Sequence, residues 1–237
     1  MRCRAATILL MLSLWGAPVL AGPWARSEGE GFVSLTLTAD TDGRALWSGT
    51  PMAVAPFTSL YGEYGLGRGL TTVARLGRSD TTREADLILR YTLTDPGAAW
   101  QVALDGGVSL RGADPRGLVR IGASIGRGFG AMEARRWWWP VAHDAGWGAL
   151  ALSALHDPQT AATAWEAEVT LGLALSDRLS VMVQLKAEDP ADADGFITVM
   201  PGATWSLSDR STVQIGARLG GYDGNRAGLS LGLWHRF

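Results

Sequence analysis

Gly228-Leu229-Ser230-Leu231-Gly232-Leu233-Trp234-His235-Arg236-Phe237 alternates without a break up to the last residue of the chain. Leu229, Leu231, Leu233 and Phe237 share one face; Ser230, Gly232, Trp234 and Arg236 share the other. A period of two marks a strand with two different surroundings. The apolar face carries no polar break except His235, and it ends on a large ring beside a free carboxylate. A strand of this kind needs an apolar medium outside and a first strand to pair with. A wall that closes on itself supplies both, and segments of about ten alternating residues are the repeating unit of transmembrane barrels.

The start of the chain is consistent with an outer-membrane address. Arg2 and Arg4 precede an apolar stretch from Ala5 to Leu20, and Val19-Leu20-Ala21 offers small residues before Gly22. That is the layout of a Sec signal peptide over residues 1–21, leaving a barrel domain over 22–237. Cys3 is the only cysteine and lies ahead of the apolar stretch, so the rest of the chain has neither a disulfide framework nor a thiolate metal site. The formal net charge is −2, and losing Arg2 and Arg4 makes the remainder more acidic, which argues against nucleic acid as a partner. After residue 21 no uncharged apolar run reaches the roughly 18 residues of a helical span.

Alternation recurs along the whole remainder. It is clear in Phe32–Ala39, Glu84–Leu93, Trp100–Arg111, Leu118–Gly126, Trp165–Leu175, Leu179–Glu188, Ile197–Leu207, Thr212–Leu219 and Ala227–Phe237. Phe57–Leu66, Leu70–Gly77 and Trp147–Leu155 are weaker. Twelve strands follow, and an even number brings both ends of the wall to one side. Gly65-Leu66-Gly67-Arg68-Gly69, Thr94-Asp95-Pro96-Gly97, Ser176-Asp177-Arg178 and Ser208-Asp209-Arg210 read as tight periplasmic turns. Asp40–Pro56, Gly112–Gly117, His156–Ala164 and Asp189–Gly195 read as longer extracellular connections. Arg127–Gly146, with Arg135-Arg136-Trp137-Trp138-Trp139-Pro140, is long yet on the periplasmic side. It is either an insertion, a constriction or partner loop, or a further hairpin that raises the count to fourteen.

A soluble sandwich also alternates. Charges at strand centres separate the two, because a barrel wall can turn them into a wet interior. The expected lumen-lining residues are Glu63, Arg75, Asp86, Arg90, Asp105, Arg111, Arg120, Glu166, Glu168, Lys186, Glu188, Arg218 and Arg236. They either pair across the lumen and hold it shut, or line a narrow pore for small charged or polar solutes. Phe32, Phe57, Tyr64, Tyr91, Trp100, Trp165, Phe196, Trp205 and Trp234 near strand ends would form interfacial girdles.

Catalytic chemistry is thinly represented. His143, His156 and His235 are the only histidines, and none has a second at metal-ligand spacing. Ser153 and His156 lie three apart on one strand, which sends their side chains to opposite faces. The acids Asp40, Asp42, Asp157 and the run Glu188 to Asp194 are read as solvated outward loops that bind divalent ions beside lipopolysaccharide. No catalytic residue, metal site or cofactor is implied.

Gly22-Pro23-Trp24, Gly29-Glu30-Gly31-Phe32-Val33-Ser34-Leu35, Leu60-Tyr61-Gly62-Glu63-Tyr64-Gly65-Leu66, Gly126-Arg127-Gly128-Phe129 and Leu231–Phe237 carry a resemblance. Together they resemble alphaproteobacterial outer-membrane β-barrel proteins associated loosely with the phenol meta-pathway. The resemblance implies an outer-membrane barrel that passes small molecules, and it carries over no catalytic residue. Twelve-stranded acidic-sugar channels are similar in size and in having lumen arginines.

The expectation is a single all-β, antiparallel up-and-down transmembrane barrel in the bacterial outer membrane. It would act as a narrow channel for small solutes; the alternatives are a closed structural or adhesive barrel and a rim hydrolase. Its expected partners are outer-membrane lipid and lipopolysaccharide, small solutes and the barrel-assembly machinery. Leu229, Leu231, Leu233 and Phe237 form the expected assembly signal.

Overall fold

The computed structural model describes residues 22–43, 54–113, 115–130, 143–191, 193–221 and 226–237. The expected signal peptide and the Arg135–Pro140 segment lie outside the described residues. Twelve strands form one closed antiparallel barrel: β1 (Gly31–Asp42), β2 (Ala55–Gly67), β3 (Leu70–Arg78), β4 (Arg83–Thr92), β5 (Trp100–Gly112) and β6 (Arg116–Phe129). They are followed by β7 (Ala145–His156), β8 (Thr163–Ala174), β9 (Leu179–Asp189), β10 (Phe196–Ser206), β11 (Ser211–Gly220) and β12 (Arg226–Arg236). Each strand pairs with its sequence neighbours, and β12 closes onto β1 in the register Leu35↔Leu233 and Leu37↔Leu231. No strand is left with an open edge, which is the condition for a sheet to stand in hydrocarbon.

The near end of the barrel is the one where β1 begins and β12 stops; the opposite is the far end. Near-end connections include the two-residue turn of Arg68 and Gly69, both at positive φ (53° and 79°). Two mirror-image central residues match the twist of the flanking strands. The Ser-Asp-Arg turns at 176–178 and 208–210 are built alike: Ser176 and Ser208 Oγ accept the N–H of Leu179 and Ser211, both at 3.1 Å. At the far end the strands run further than the alternation suggests. The expected 112–117 connection shrinks to residues 113–115 because Arg111 and Arg116 still pair.

The outward face is a band of exposed apolar residues, among them Leu35, Leu37, Leu87, Leu89, Val108, Ile121, Leu171, Ile215 and Leu231. In water such a band would be an aggregation surface; in a bilayer it is the solvated one. Tyr64, Tyr91, Trp100 and Trp205 stand exposed toward the near end, and Trp165 toward the far end. The other expected girdle members behave differently. Phe32 is buried inside the wall, edge-on to Tyr61 and Trp234. Phe57, Phe196 and Trp234 share the inward parity of their strands, so the side-chain period puts them in the lumen and not in a girdle.

Phe237 lies beyond β12 yet continues its ladder: its N–H donates to the Gly31 carbonyl at 3.0 Å, and its carbonyl accepts the Gly31 N–H at 2.8 Å. Its ring covers Gly31, where a Cβ would collide with it. An aromatic laid over a cross-strand glycine fills the gap that the missing side chain leaves at the seam.

Candidate functional site in the lumen

Inward residues of adjacent strands meet in rows, and the charged ones pair within those rows. Arg90 on β4 donates from Nε to Asp105 on β5 at 2.9 Å and from Nη1 to Glu63 on β2 at 3.2 Å. Arg111 on β5 pairs with Asp86 on β4 at 2.7 Å. Arg120 on β6 donates to Ser153 on β7 at 2.7 Å and to Glu166 on β8 at 2.8 Å. Lys186 on β9 bonds Glu188 at 2.8 Å, and Gln184 donates to Glu168 on β8 at 2.6 Å. Arg218 on β11 reaches Asp40 on β1 at 3.3 Å. Each of these pairs joins residues of the same strand or of strands at most two apart. They lie along the wall; none of them bridges the bore.

Where Arg218 skips β12 to reach Asp40, the residue beneath leaves room for the pair. Gly228 is the register partner of both Asp40 and Arg218, and a Cβ there would collide with the Asp40 carboxylate. Asp40 itself was expected in an outward loop; β1 extends to Asp42 and carries it buried into the lumen. Alternation fades at the polar end of β1, which is why the strand looks shorter in the sequence than it is.

Two expected lumen residues, Arg75 and Glu168, are held by contacts other than an ion pair. Arg75 stands over the Tyr61 ring, 5.5 Å from its centroid, with Glu168 and Asp86 as the acids that act on it through space. Glu168 is held by Gln184. Arg236 sits at the near-end rim on β12.

The near end holds a feature that the alternation could not announce. Residues 22–26 lie inside the barrel, and residues 27–30 lead out of it at the rim. The Gly22 carbonyl accepts from Arg90 Nη1 at 2.7 Å and the Pro23 carbonyl from Thr92 Oγ1 at 2.8 Å. The Arg26 N–H donates to Thr71 Oγ1 at 3.1 Å, and its Nε donates to Glu63 at 2.6 Å. Glu63 also accepts from the Tyr61 hydroxyl. Pro23 is fully buried, and Trp24 and Pro23 pack over Gly126, where a Cβ would lie 2.6 Å from the Trp24 ring and 2.9 Å from Pro23. The sequence signals that mark this segment are the apolar Pro23-Trp24 pair and the side-chain-free inward position at Gly126.

The rim offers no assembled catalytic group among the described residues. Ser153 faces the lumen under Arg120, while the His156 ring nitrogen meets Thr163 Oγ1 at 3.1 Å on the other face. Asp157 accepts the N–H groups of Gln159 and Thr160. The Gln159 N–H, with the Thr160 contacts after it, holds that carboxyl below the usual carboxylate range. Its lone pairs close a turn and do not orient a histidine. A cavity of about 930 Å³ lies at the far-end rim, lined by Glu166, Glu188, Asp194 and Phe196 together with the outward-facing Trp165 and Ile197. It draws on both faces of the wall, so it belongs to the rim and not to the bore.

No protein-family model and no curated protein matches the sequence. Solved structures do match in fold. A KdgM porin aligns over 86% of this chain and 99% of its own with a TM-score of 0.58 and 8% identity. A NanC porin aligns over 86% and 98% with a TM-score of 0.60 and 9% identity. A KdgM porin in complex with disordered oligogalacturonate gives 0.56 and 6%. At these identities the likeness is one of fold: the chain shares the architecture of twelve-stranded outer-membrane barrels.

Proposed function

We propose that this chain is an outer-membrane channel for passive diffusion of small polar or charged solutes, inserted with its near end toward the periplasm. The observation that carries the reading is the direction of the ion pairs. Charges that lock a barrel shut would form direct ion pairs across the bore; here the ion pairs lie in rows along the wall, and Arg75 meets Glu168 of the far wall only through space. The porin-like fold agrees with this role, and the resemblance to phenol meta-pathway barrels favours small organic molecules as cargo. Purified full-length protein in a planar bilayer should give discrete conductance steps. Silence from protein shown to be folded would refute the channel.

The outward partners follow from the same orientation. The exposed band meets lipid, and the exposed far-end acids Asp189 and Asp194 face lipopolysaccharide through divalent ions. We assign Leu229, Leu231, Leu233 and Phe237 to recognition by the barrel-assembly machinery, since they present one apolar edge at the closing seam. His235 interrupts that edge and bonds Ser211 Oγ at 3.0 Å, so more of the signal rests on Phe237. Deleting Phe237 should lower the folded, heat-modifiable fraction recovered from outer membranes; unchanged insertion would remove this assignment.

A further inference from the structure

The near-end segment deepens the channel reading, because it sits in the lumen at the near end of the wall. It is held by side chains of the wall and, at its rim end, by backbone bonds to Gly65. Beyond the contacts of Gly22, Pro23 and Arg26, the Arg26 guanidinium lies over the Phe32 ring at 5.3 Å, and the Glu30 carbonyl accepts the Gly65 N–H at 2.9 Å. Arg26, Glu63 and Arg90 form one alternating row of charge, in which Glu63 is shared between a cation of the segment and a cation of the wall. Removing the segment would leave Arg90 alone against Glu63 and Asp105, so the empty seat carries one uncompensated carboxylate, which draws Arg26 back. Residues 27–30 are exposed at the rim. Gly29 is at φ 82° with nothing within 4 Å of a Cβ position, and its N–H donates to the Gly65 carbonyl at 3.1 Å, so the segment pivots where this bond ties the chain to the rim.

We propose that residues 22–28 are a displaceable plug: Arg26 latches it to the Glu63–Arg90 pair, Gly29 is its hinge, and its withdrawal widens the near end of the channel. The gating consequence rests on the channel reading; the seat itself does not. The geometry also accounts for the two inward glycines on its path, since side chains at Gly65 or Gly126 would fall on Ser27 or on Pro23 and Trp24.

The test uses the full-length chain in a Cys3→Ser background, with each variant checked for folding by heat-modifiable migration. Two measurements are made. Planar-bilayer conductance compares the parent with a deletion of residues 23–28 and with Arg26→Ala. Reaction with a membrane-impermeant maleimide follows Pro23→Cys, with and without Arg26→Ala. The expected results are a several-fold larger conductance for the deletion, more frequent opening for Arg26→Ala, and a thiol that is protected until Arg26→Ala exposes it. A thiol that reacts in the latched barrel as fast as in the urea-unfolded chain overturns the plug. So does a deletion that leaves the conductance of an active channel unchanged. If no form conducts, the channel reading fails, while slow labelling that Arg26→Ala accelerates still supports the seated segment. Should the deletion not fold, Arg26→Ala and the labelling decide alone.

Discussion

The two halves of the lumen use the same residue types to opposite ends. Near the terminal end, Arg90 and Glu63 have side chains only 5% and 1% exposed, in a network that takes in Arg26, Tyr61 and Asp105. Toward the far end, Arg218 and Lys186 are 31% and 28% exposed; Arg218 reaches Asp40 two strands away, and Lys186 bonds Glu188 on its own strand. The first set is a packed polar core, where a lost partner strands a charge away from water. The second mixes buried Asp40, Asp86 and Arg120 with the partly exposed Arg218 and Lys186, and at those two cations solvent can take a partner's place. Burial, not charge count, separates structure from passage in this barrel.

Arg90→Met attacks the packed half where it is most committed. It leaves Asp105 without its guanidinium and frees the Gly22 carbonyl. Breaking a buried pair by removing one member costs about 3–5 kcal/mol. A urea titration of the refolded barrel should show a midpoint well below that of the parent; an unchanged midpoint would mean that the near-end network is as solvated as the far-end one. Gly126→Ala and Gly117→Ala sharpen the contrast on a single strand, β6. A Cβ at 126 runs into Trp24 and Pro23, whereas one at 117 meets nothing within 4 Å. The first should cost about 1–3 kcal/mol by overpacking, and the second should be neutral or stabilise by about 0.5–1 kcal/mol, since glycine weakens a strand interior. Equal effects at both positions would show that the segment does not sit on Gly126.

What could be read in the sequence divides along the same lines. All twelve strands were legible, because lipid outside and water inside impose a period of two at every position. The closing seam was legible in Leu229–Phe237 for the same reason. The pairing of the inward charges was not: whether Arg218 meets Asp40 depends on register between β11, β12 and β1, which alternation leaves free. Asp40 was misplaced because the far-end strand tips are polar on both faces and so resemble loops. Phe32 and Trp234 were misassigned to a girdle because position along a strand says nothing of its face. The near-end segment was missed altogether, since a stretch held by single contacts has no period to detect.

The smallest expected effect tests the lining itself. Lys186→Gln removes the chain's only lysine from Glu188, 2.8 Å away, and from Glu166, 3.9 Å away. Glu166 keeps Arg120, so no carboxylate there is left without a cation except Glu188, which is itself partly exposed. A solvent-accessible pair of this kind contributes about 0–1 kcal/mol, and the urea midpoint should barely move. Ion selectivity should move instead. Removing one positive charge from the wall shifts the local field toward cations, so the reversal potential in a salt gradient should become more cation-selective. The shift should be greater at low ionic strength, where the Debye length exceeds the width of a narrow bore. A loss of stability comparable to that of Arg90→Met, with selectivity unchanged, would make the far end a second packed core and erase the distinction between the two halves.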